Sequence, residues 1–159
     1  MGWVKVNSDV SVNLKLGWMG YGVVVRDERG VVLAAQCRTV KGCLDATLAE
    51  AGAMIMAIQL CQRLGLLIVH VEGDTQAVVN GILFPGVDWS RKGLMLGNIA
   101  HILKGFYQWQ MSYIKREGNQ AAYGLAQLAT SEEIDHIWIN NVPDCIQDII
   151  LKEQHVLSS

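Results

Sequence analysis

The sequence predicts one α/β domain built on a mixed β-sheet, and three observations support this prediction. The first third of the chain alternates apolar and polar residues, as strands do. From Asp45 onwards, apolar residues recur at the spacing of a buried helix. Apolar strand-like segments then alternate with helical ones, which is typical of parallel strands joined by right-handed helical crossovers.

The first three strands are predicted to form an antiparallel meander. In the first strand, one face carries Val4, Val6, Ser8 and Val10, and the other carries Trp3, Lys5, Asn7 and Asp9. Residues 21–40 contain two apolar runs joined by a short loop that ends at Gly30. Glycine suits the left-handed position of such a hairpin loop.

A buried helix is predicted to follow, beginning at Asp45 and ending at Gly65, with apolar positions at Leu48, Ala51, Ile55, Ile58 and Cys61. Residues 66–73 are β-branched and mostly apolar, and they predict a fourth strand. Residues 74–83 predict a second helix that begins at Asp74.

After a break at residues 84–86, residues 88–105 are predicted to be helical and residues 107–115 to form a fifth strand. Asn119 is predicted to cap a last helix. The tail from Ser131 is apolar enough to dock onto the body. We therefore predict one domain over residues 1–159, with a core at 3–130, a docking tail at 131–159 and the order βββ-α-β-α-α-β-α.

Composition excludes several classes of protein. Apolar residues make up 51% of the 159 residues and the net charge is −2, which excludes a disordered chain and a strongly basic nucleic-acid-binding protein. No apolar run reaches the length of a membrane span. The cysteines lack a C-x-x-C pair and the histidines lack zinc spacing. We expect a reducing intracellular compartment, either nuclear or cytoplasmic.

Three acidic residues stand where strands end or helices begin: Asp9, Glu50 and Asp74. Such positions meet at one edge of an α/β sheet, where carboxylates repel one another unless a dication or a shared proton is present. Oxygen ligands of this kind suit Mg²⁺ or Mn²⁺, and two such ions about 3.5–4 Å apart can cleave a phosphodiester. Each residue also has a simpler interpretation. Asp74 would be a helix cap, Glu50 would be favoured by the helix dipole, and Asp9 would be solvated.

The sequence resembles the plant reverse-transcriptase-like ribonuclease H domains from about Trp3 to Ile150. The segments that carry the resemblance are WVKVNSDVS, YGVVVRDERGVVLAA, LAEAGAMIMAIQLCQRLGL, VHVEGDTQAVVNGI, IKREGNQAAYGLAQLA and HIWINNVPDCIQDII. The resemblance implies a ribonuclease H-like five-stranded mixed sheet, three antiparallel strands followed by parallel ones, with helices on both faces.

The resemblance also implies a catalytic set of Asp, Glu, Asp and Asp, of which the first three fall on Asp9, Glu50 and Asp74. These residues would hold two Mg²⁺ (or Mn²⁺) ions for hydrolysis of the RNA strand of an RNA–DNA hybrid. The fourth position is Tyr123, and a neutral phenol is a poor ligand for Mg²⁺. Val10 replaces the small residue that usually follows the first Asp, and Tyr113 replaces a motif histidine.

The candidates for contact with nucleic acid are Arg91, Lys92, Lys115, Arg116 and Asn119, with Lys104 nearby. Trp89 and Trp109 would either stack on bases or pack against the body. Two functions remain open, besides a generic α/β binding domain with helix-capping acids, which leaves Glu50 unexplained. One is a metal-dependent nuclease acting on RNA–DNA hybrids, weakened by Tyr123. The other is a pseudoenzyme that binds nucleic acid or a protein partner. Neither function involves a membrane.

Overall fold

The computed structural model describes residues 2–42 and 45–158, with side chains as far as residue 154. Its strands are β1 (Val4–Asn13), β2 (Trp18–Arg26), β3 (Val32–Lys41), β4 (Ile68–Gly73), β5 (Gln108–Tyr113) and β6 (Asp135–Ile139). Its helices are α1 (Ala46–Arg63), α2 (Gln76–Leu83), α3 (Arg91–Leu103), α4 (Gln120–Ser131) and α5 (Asp144–Ser158). The strands form one sheet in the order β5-β4-β1-β2-β3-β6.

The predicted mixed sheet is confirmed. Strands β1, β2 and β3 form the antiparallel meander, and Gly30 takes the left-handed conformation with φ of 83° in the loop between β2 and β3. Strand β4 pairs in parallel with β1, and β5 pairs in parallel with β4. The carboxyl ends of β4 and β5 therefore lie at the same edge of the sheet as the later part of β1.

The sheet has six strands, so the expectation of five is wrong by one. The tail that was expected only to dock supplies β6, which pairs antiparallel with β3 from Ala34↔Ile139 to Arg38↔Asp135. Strand β3 would otherwise be an exposed edge with unpaired backbone groups. Helix α5 then returns over α4, where Ile146 and Ile150 are buried.

Both faces of the sheet carry a core. One core lies between the sheet and α1, α2 and α3, and the other lies between the sheet and α4 and α5. Helix α1 begins where the sequence predicts, because the Asp45 carboxylate accepts a hydrogen bond from the Leu48 N–H at 3.0 Å. It ends before Gly65, which has φ of 70°. Its apolar face is buried, including the free thiol of Cys61.

Three predicted helix boundaries or caps differ from the structure. Helix α2 starts at Gln76, with Thr75 rather than Asp74 at the capping position. Helix α3 covers Arg91–Leu103, which is shorter than the predicted 88–105, because the Ser90 hydroxyl caps it by accepting from the Gly93 N–H at 3.2 Å. Asn119 does occupy the capping position of α4, but its side chain makes no capping hydrogen bond.

Helix α4 lies directly against two glycines of β2. A Cβ built on Gly20 would come within 2.1 Å of the Ala126 carbonyl oxygen, and one on Gly22 within 2.2 Å of the Ala122 carbonyl oxygen. These contacts are far inside van der Waals distance. The missing side chains at Gly20 and Gly22 therefore set how closely α4 approaches the sheet.

Cys37 is buried and Cys145 is exposed, and both are free thiols. Cys43, one of the four cysteines considered in the sequence, lies outside the described residues. Across residues 2–42 and 45–158, no helix is both long and apolar enough to cross a membrane.

Candidate active site

Three elements bring Asp9, Glu50 and Asp74 together. Asp9 lies within β1, Glu50 in the second turn of α1, and Asp74 directly after β4. The parallel register of β1 and β4, with Asn7 opposite Glu72, brings Asp9 and Asp74 to the same edge. One carboxylate oxygen from each residue lies within 4.8 Å of the others, so the predicted acidic cluster is present.

Among the residues that the structure describes, two buried oxygens of the cluster have no hydrogen-bond donor outside the cluster. Asp9 is only 2% exposed, and while its Oδ1 accepts from the Val10 N–H at 2.8 Å, its Oδ2 meets no such donor. The Glu50 carboxyl lies close enough to Asp9 to share a proton with it. The Oδ2 of half-buried Asp74 is likewise buried without a partner. The simpler interpretations therefore fail for both residues, since Asp9 is not solvated and Asp74 does not cap α2.

The electrostatics of the cluster disfavour its full ionisation. Burial raises the pKa of Asp9, and the charge of Asp74 raises it further. Burial also raises the pKa of Glu50, with added effects from Asp9 and Asp74, while the guanidinium of Arg116 acts in the opposite direction on both groups. A cation at this position would favour the ionised carboxylates.

The residues present fit a divalent metal ion. Carboxylate oxygens are the hard ligands that such ions prefer, and the two oxygens without partners are free to coordinate one. An unpaired buried carboxylate oxygen is energetically unfavourable in a protein without such a ligand. The donor set contains no thiolate or imidazole, which disfavours zinc.

The substituted position of the motif lies in the first turn of α4. Tyr123 is half-buried, and its backbone N–H donates to the Asn119 carbonyl oxygen at 3.1 Å. Val10, beside Asp9, is also half-buried, and Tyr113 at the end of β5 is 46% exposed. No carboxylate therefore occupies position 123 to complete the acidic set.

The prediction that Asn119 contacts nucleic acid is not supported by its position, because the residue is 1% exposed and its amide does not reach the surface. Its Nδ2 donates to the Ser8 carbonyl oxygen at 2.9 Å, and its Oδ1 accepts from Asn7 at 3.1 Å. The side chain is used inside the protein, which also explains why it does not cap α4.

The other candidates for nucleic-acid contact are exposed: Arg91, Lys92, Lys104, Lys115 and Arg116. Of these, Arg116 is the one whose charge acts on Asp9 and Glu50. Trp109 is half-buried against the core, so it packs rather than stacks, whereas Trp89 is 81% exposed. The sequence interpretation missed that Phe84 and Val87 beside Trp89 are exposed as well, at 75% and 87%.

A cavity of about 530 Å³ lies away from the acidic cluster, and it is bordered by Trp3, Lys5, Arg26, His70 and Ile114 among others. None of Asp9, Glu50 and Asp74 lines it. The acidic cluster is therefore not the floor of this cavity.

The chain is similar to known proteins in sequence and in fold. The sequence model of the reverse transcriptase-like family matches residues 7–129. An Arabidopsis thaliana protein with a provisional ribonuclease H name is 27% identical over 157 residues, which is 96% of this chain and 24% of that protein. The chain thus spans about a quarter of the length of this curated relative.

Solved ribonuclease H1 structures share the fold. That of Halobacterium salinarum has a TM-score of 0.73 and 22% identity, covering 82% of this chain and 98% of its own. That of LC11 ribonuclease H1 bound to an RNA/DNA hybrid has a TM-score of 0.69 and 24% identity, covering 79% and 94%.

Proposed function

The chain belongs to the reverse transcriptase-like family, and we propose that it is a metal-dependent nuclease that hydrolyses the RNA strand of RNA–DNA hybrids. The observation that carries this proposal is the pair of buried oxygens without partners, Asp9 Oδ2 and Asp74 Oδ2, beside Glu50. An arrangement of this kind destabilises the folded protein unless it serves to bind a cation.

Asp9, Glu50 and Asp74 would hold Mg²⁺ or Mn²⁺, with two ions expected when substrate is bound. When bound, these ions would activate water and stabilise the leaving oxygen, which yields a 3′-hydroxyl and a 5′-phosphate. Tyr123 provides no carboxylate, so we expect weaker metal binding and slower turnover than with a full carboxylate set.

The substrate would lie across exposed basic residues around the cluster. The positive charge of Arg116 opposes the rise in the pKa of Asp9 and of Glu50, so this residue lies near the carboxylates. Lys115 precedes it in the chain, and both residues would contact phosphates next to the cleaved bond. Arg91 and Lys92, with exposed Trp89, would contact the duplex further away. Selectivity for RNA would come from its 2′-hydroxyl groups in the shallow minor groove.

A structural neighbour supports this choice of substrate, since LC11 ribonuclease H1 was solved with an RNA/DNA hybrid. We also propose that the chain forms one domain over residues 1–159 and that the protein is located in the nucleus or cytoplasm. Its main partner would be a nucleic acid, and a protein is the second candidate partner.

The test is a cleavage assay with hybrid, RNA duplex and DNA duplex, each labelled, in Mg²⁺ and in Mn²⁺. We expect slow cleavage confined to the RNA strand of the hybrid, abolished by EDTA and by Asp9→Asn. Cleavage that persists unchanged in Asp9→Asn would exclude the proposal, and so would no cleavage by the wild-type protein in either metal.

A second candidate function is a pseudoenzyme that binds nucleic acid or protein without cleavage, and Tyr123 is the observation that favours it. Metal titration by calorimetry in the presence of hybrid separates the two candidates. Two bound ions support the nuclease, whereas hybrid binding with no bound metal supports the pseudoenzyme.

A further inference from the structure

A buried network of polar side chains lies immediately behind the acidic cluster. Its central residue is Asn7, which is 0% exposed and precedes Asp9 by two positions in β1. The Asn7 Nδ2 donates to Glu72 Oε1 at 2.9 Å and to Asn119 Oδ1 at 3.1 Å. One amide group therefore joins β1 to the end of β4 and to the start of α4.

The two residues that accept hydrogen bonds from the Asn7 amide, Glu72 and Asn119, each lie close in sequence to a position of the motif. Glu72 precedes Asp74 by two residues in the strand that pairs with β1. Asn119 precedes Tyr123 by one helical turn, and its Nδ2 donates to the carbonyl oxygen of Ser8, the residue directly before Asp9. The network thus connects the three elements that carry Asp9, Asp74 and position 123.

Arg26 sets the orientation of the Asn7 amide by donating to its oxygen. Arg26 Nη2 donates to Asn7 Oδ1 at 3.4 Å, and Arg26 Nη1 makes an ion pair with Glu153 of α5. Arg26 is 7% exposed. Because a guanidinium only donates, it holds the amide oxygen on its side and directs both N–H groups towards Glu72 and Asn119.

We propose that Asn7 is a positioning residue, and that its amide holds Asp9 and Asp74 at the separation that metal binding requires. This inference rests on the proposed function. The physical reason is that a buried network with every member paired is rigid, whereas an unpaired member must move or take up water. The carboxylates of the cluster repel one another, so they cannot set this separation themselves.

The experiment replaces the Asn7 donor with an acceptor of the same shape. In Asn7→Asp, a second carboxylate would lie against Glu72 and would repel it. Glu72→Gln alone keeps an acceptor oxygen for Asn7 and serves as the matched control. The double variant Asn7→Asp with Glu72→Gln restores a donor–acceptor pair with the roles exchanged. Val32→Ala, in the core on the α4 and α5 side, controls for a general loss of stability.

Two readouts are required, namely Mn²⁺ affinity by calorimetry and hydrogen exchange of the amides of residues 7–10 without metal. We expect Asn7→Asp to bind Mn²⁺ at least about 10-fold more weakly, as groups that orient metal ligands do when changed. We expect its amides at 7–10 to exchange about 10-fold faster than in Val32→Ala. Glu72→Gln should resemble the wild type. The double variant should recover part of both losses, because it restores the pair between positions 7 and 72 but leaves Asn119 Oδ1 without its donor.

The outcomes separate this inference from the proposed function. If Asn7→Asp matches Val32→Ala in hydrogen exchange, or if the double variant shows no recovery, Asn7 does not position the cluster. If the wild-type protein binds Mn²⁺ but cleaves no hybrid, while Asn7→Asp loses Mn²⁺ affinity and exchanges faster as expected, the positioning role stands and the nuclease proposal fails.

Discussion

Two groups of polar side chains lie two residues apart, one on the parallel strands β1 and β4 and the other on β1 and directly after β4, and they differ in their hydrogen bonding. In the first group, the Asn7 amide donates to Glu72 and to Asn119 and accepts from Arg26. Around Asp9 and Asp74, one oxygen of each carboxylate is buried with no partner. Asp9 is about as deeply buried as Asn7 and lies on the same strand, so the difference between these two residues lies in their side chains.

This difference separates a structural role from a functional one. A paired network adds rigidity at little net electrostatic penalty, whereas unpaired carboxylates lower stability. Folded proteins keep such unfavourable groups mainly where they bind or react. Four predictions test this distinction, in order of decreasing effect.

The largest effect concerns pH. The pKa of Asp9 is raised from 3.8 to about 7 and that of Glu50 from 4.5 to about 9, mainly by burial. Both groups hold their protons more tightly in the folded state, so their contribution to stability is present at low pH and is lost as pH rises through these values. Each additional proton bound by the folded state lowers the free energy of unfolding by about 1.4 kcal/mol per pH unit, so we expect this free energy in EDTA to fall by several kcal/mol between pH 4 and pH 9.

Denaturant unfolding at several pH values measures this loss. Saturating Mn²⁺ should reverse most of it at pH 8 and little of it at pH 5, because only the ionised carboxylates bind the metal. Stability that is unchanged over this range would mean that the cluster is neither buried nor strained as described.

The second prediction removes one ligand. Asp74→Asn should lower hybrid cleavage by about 100-fold or more, since changes at metal sites usually have effects of this size. The same substitution should raise the free energy of unfolding without metal, because it removes one of the repelling charges. Asp148→Asn, an exposed substitution on α5, is the control for cleavage rate and for denaturant midpoint. A destabilised Asp74→Asn would contradict the assignment of strain to this cluster.

The third prediction adds a ligand to the cluster. Tyr123→Asp should tighten Mn²⁺ binding by about 10-fold, which corresponds to about 1.4 kcal/mol, and should speed hybrid cleavage. Tyr123→Phe keeps the ring without its hydroxyl and should behave like the wild type. Calorimetry on the three proteins gives the answer, and equal metal affinities in all of them would show that position 123 does not face the metal.

The smallest effect concerns the cation beside the cluster. Arg116→Ala should weaken hybrid binding by about 1 kcal/mol and reduce the slope of log affinity against log salt by about one. Fluorescence anisotropy in an Asp74→Asn background, in which cleavage is expected to be slow, measures both quantities. Arg29→Ala, at the exposed loop between β2 and β3, should leave both unchanged. If both arginine variants lose the same affinity, Arg116 has no special place near the cleaved bond.

Much of this arrangement could be predicted from the sequence. The alternation of residues 3–10 and the helical spacing from Asp45 depend on local geometry, so the meander and α1 follow from the pattern alone. Asp9, Glu50 and Asp74 could be predicted to converge because strand ends meet at one edge of an α/β sheet. The resemblance to the reverse-transcriptase-like ribonuclease H domains then indicated that these three residues belong to one catalytic set.

The remaining features depend on distant partners that a local pattern does not reveal. Asn7 pairs with residues 65 and 112 positions away, and the alternation of β1 gives only the face on which Asn7 lies. Asn119 has the residue type of a helix cap, yet tertiary partners use its amide. Strand β6 has five residues and is too short for its alternation to be distinguished from a loop.

The close contact of α4 with Gly20 and Gly22 has a consequence for redesign. The distance of residue 123 from the carboxylates depends on Gly20 and Gly22 of β2, which have no side chain. A single added methyl group there would push α4 outward, and a carboxylate introduced at 123 would be withdrawn from the cluster. A carboxylate introduced in α4 therefore requires that Gly20 and Gly22 be retained, because a side chain at either position would move the new ligand away from the cluster.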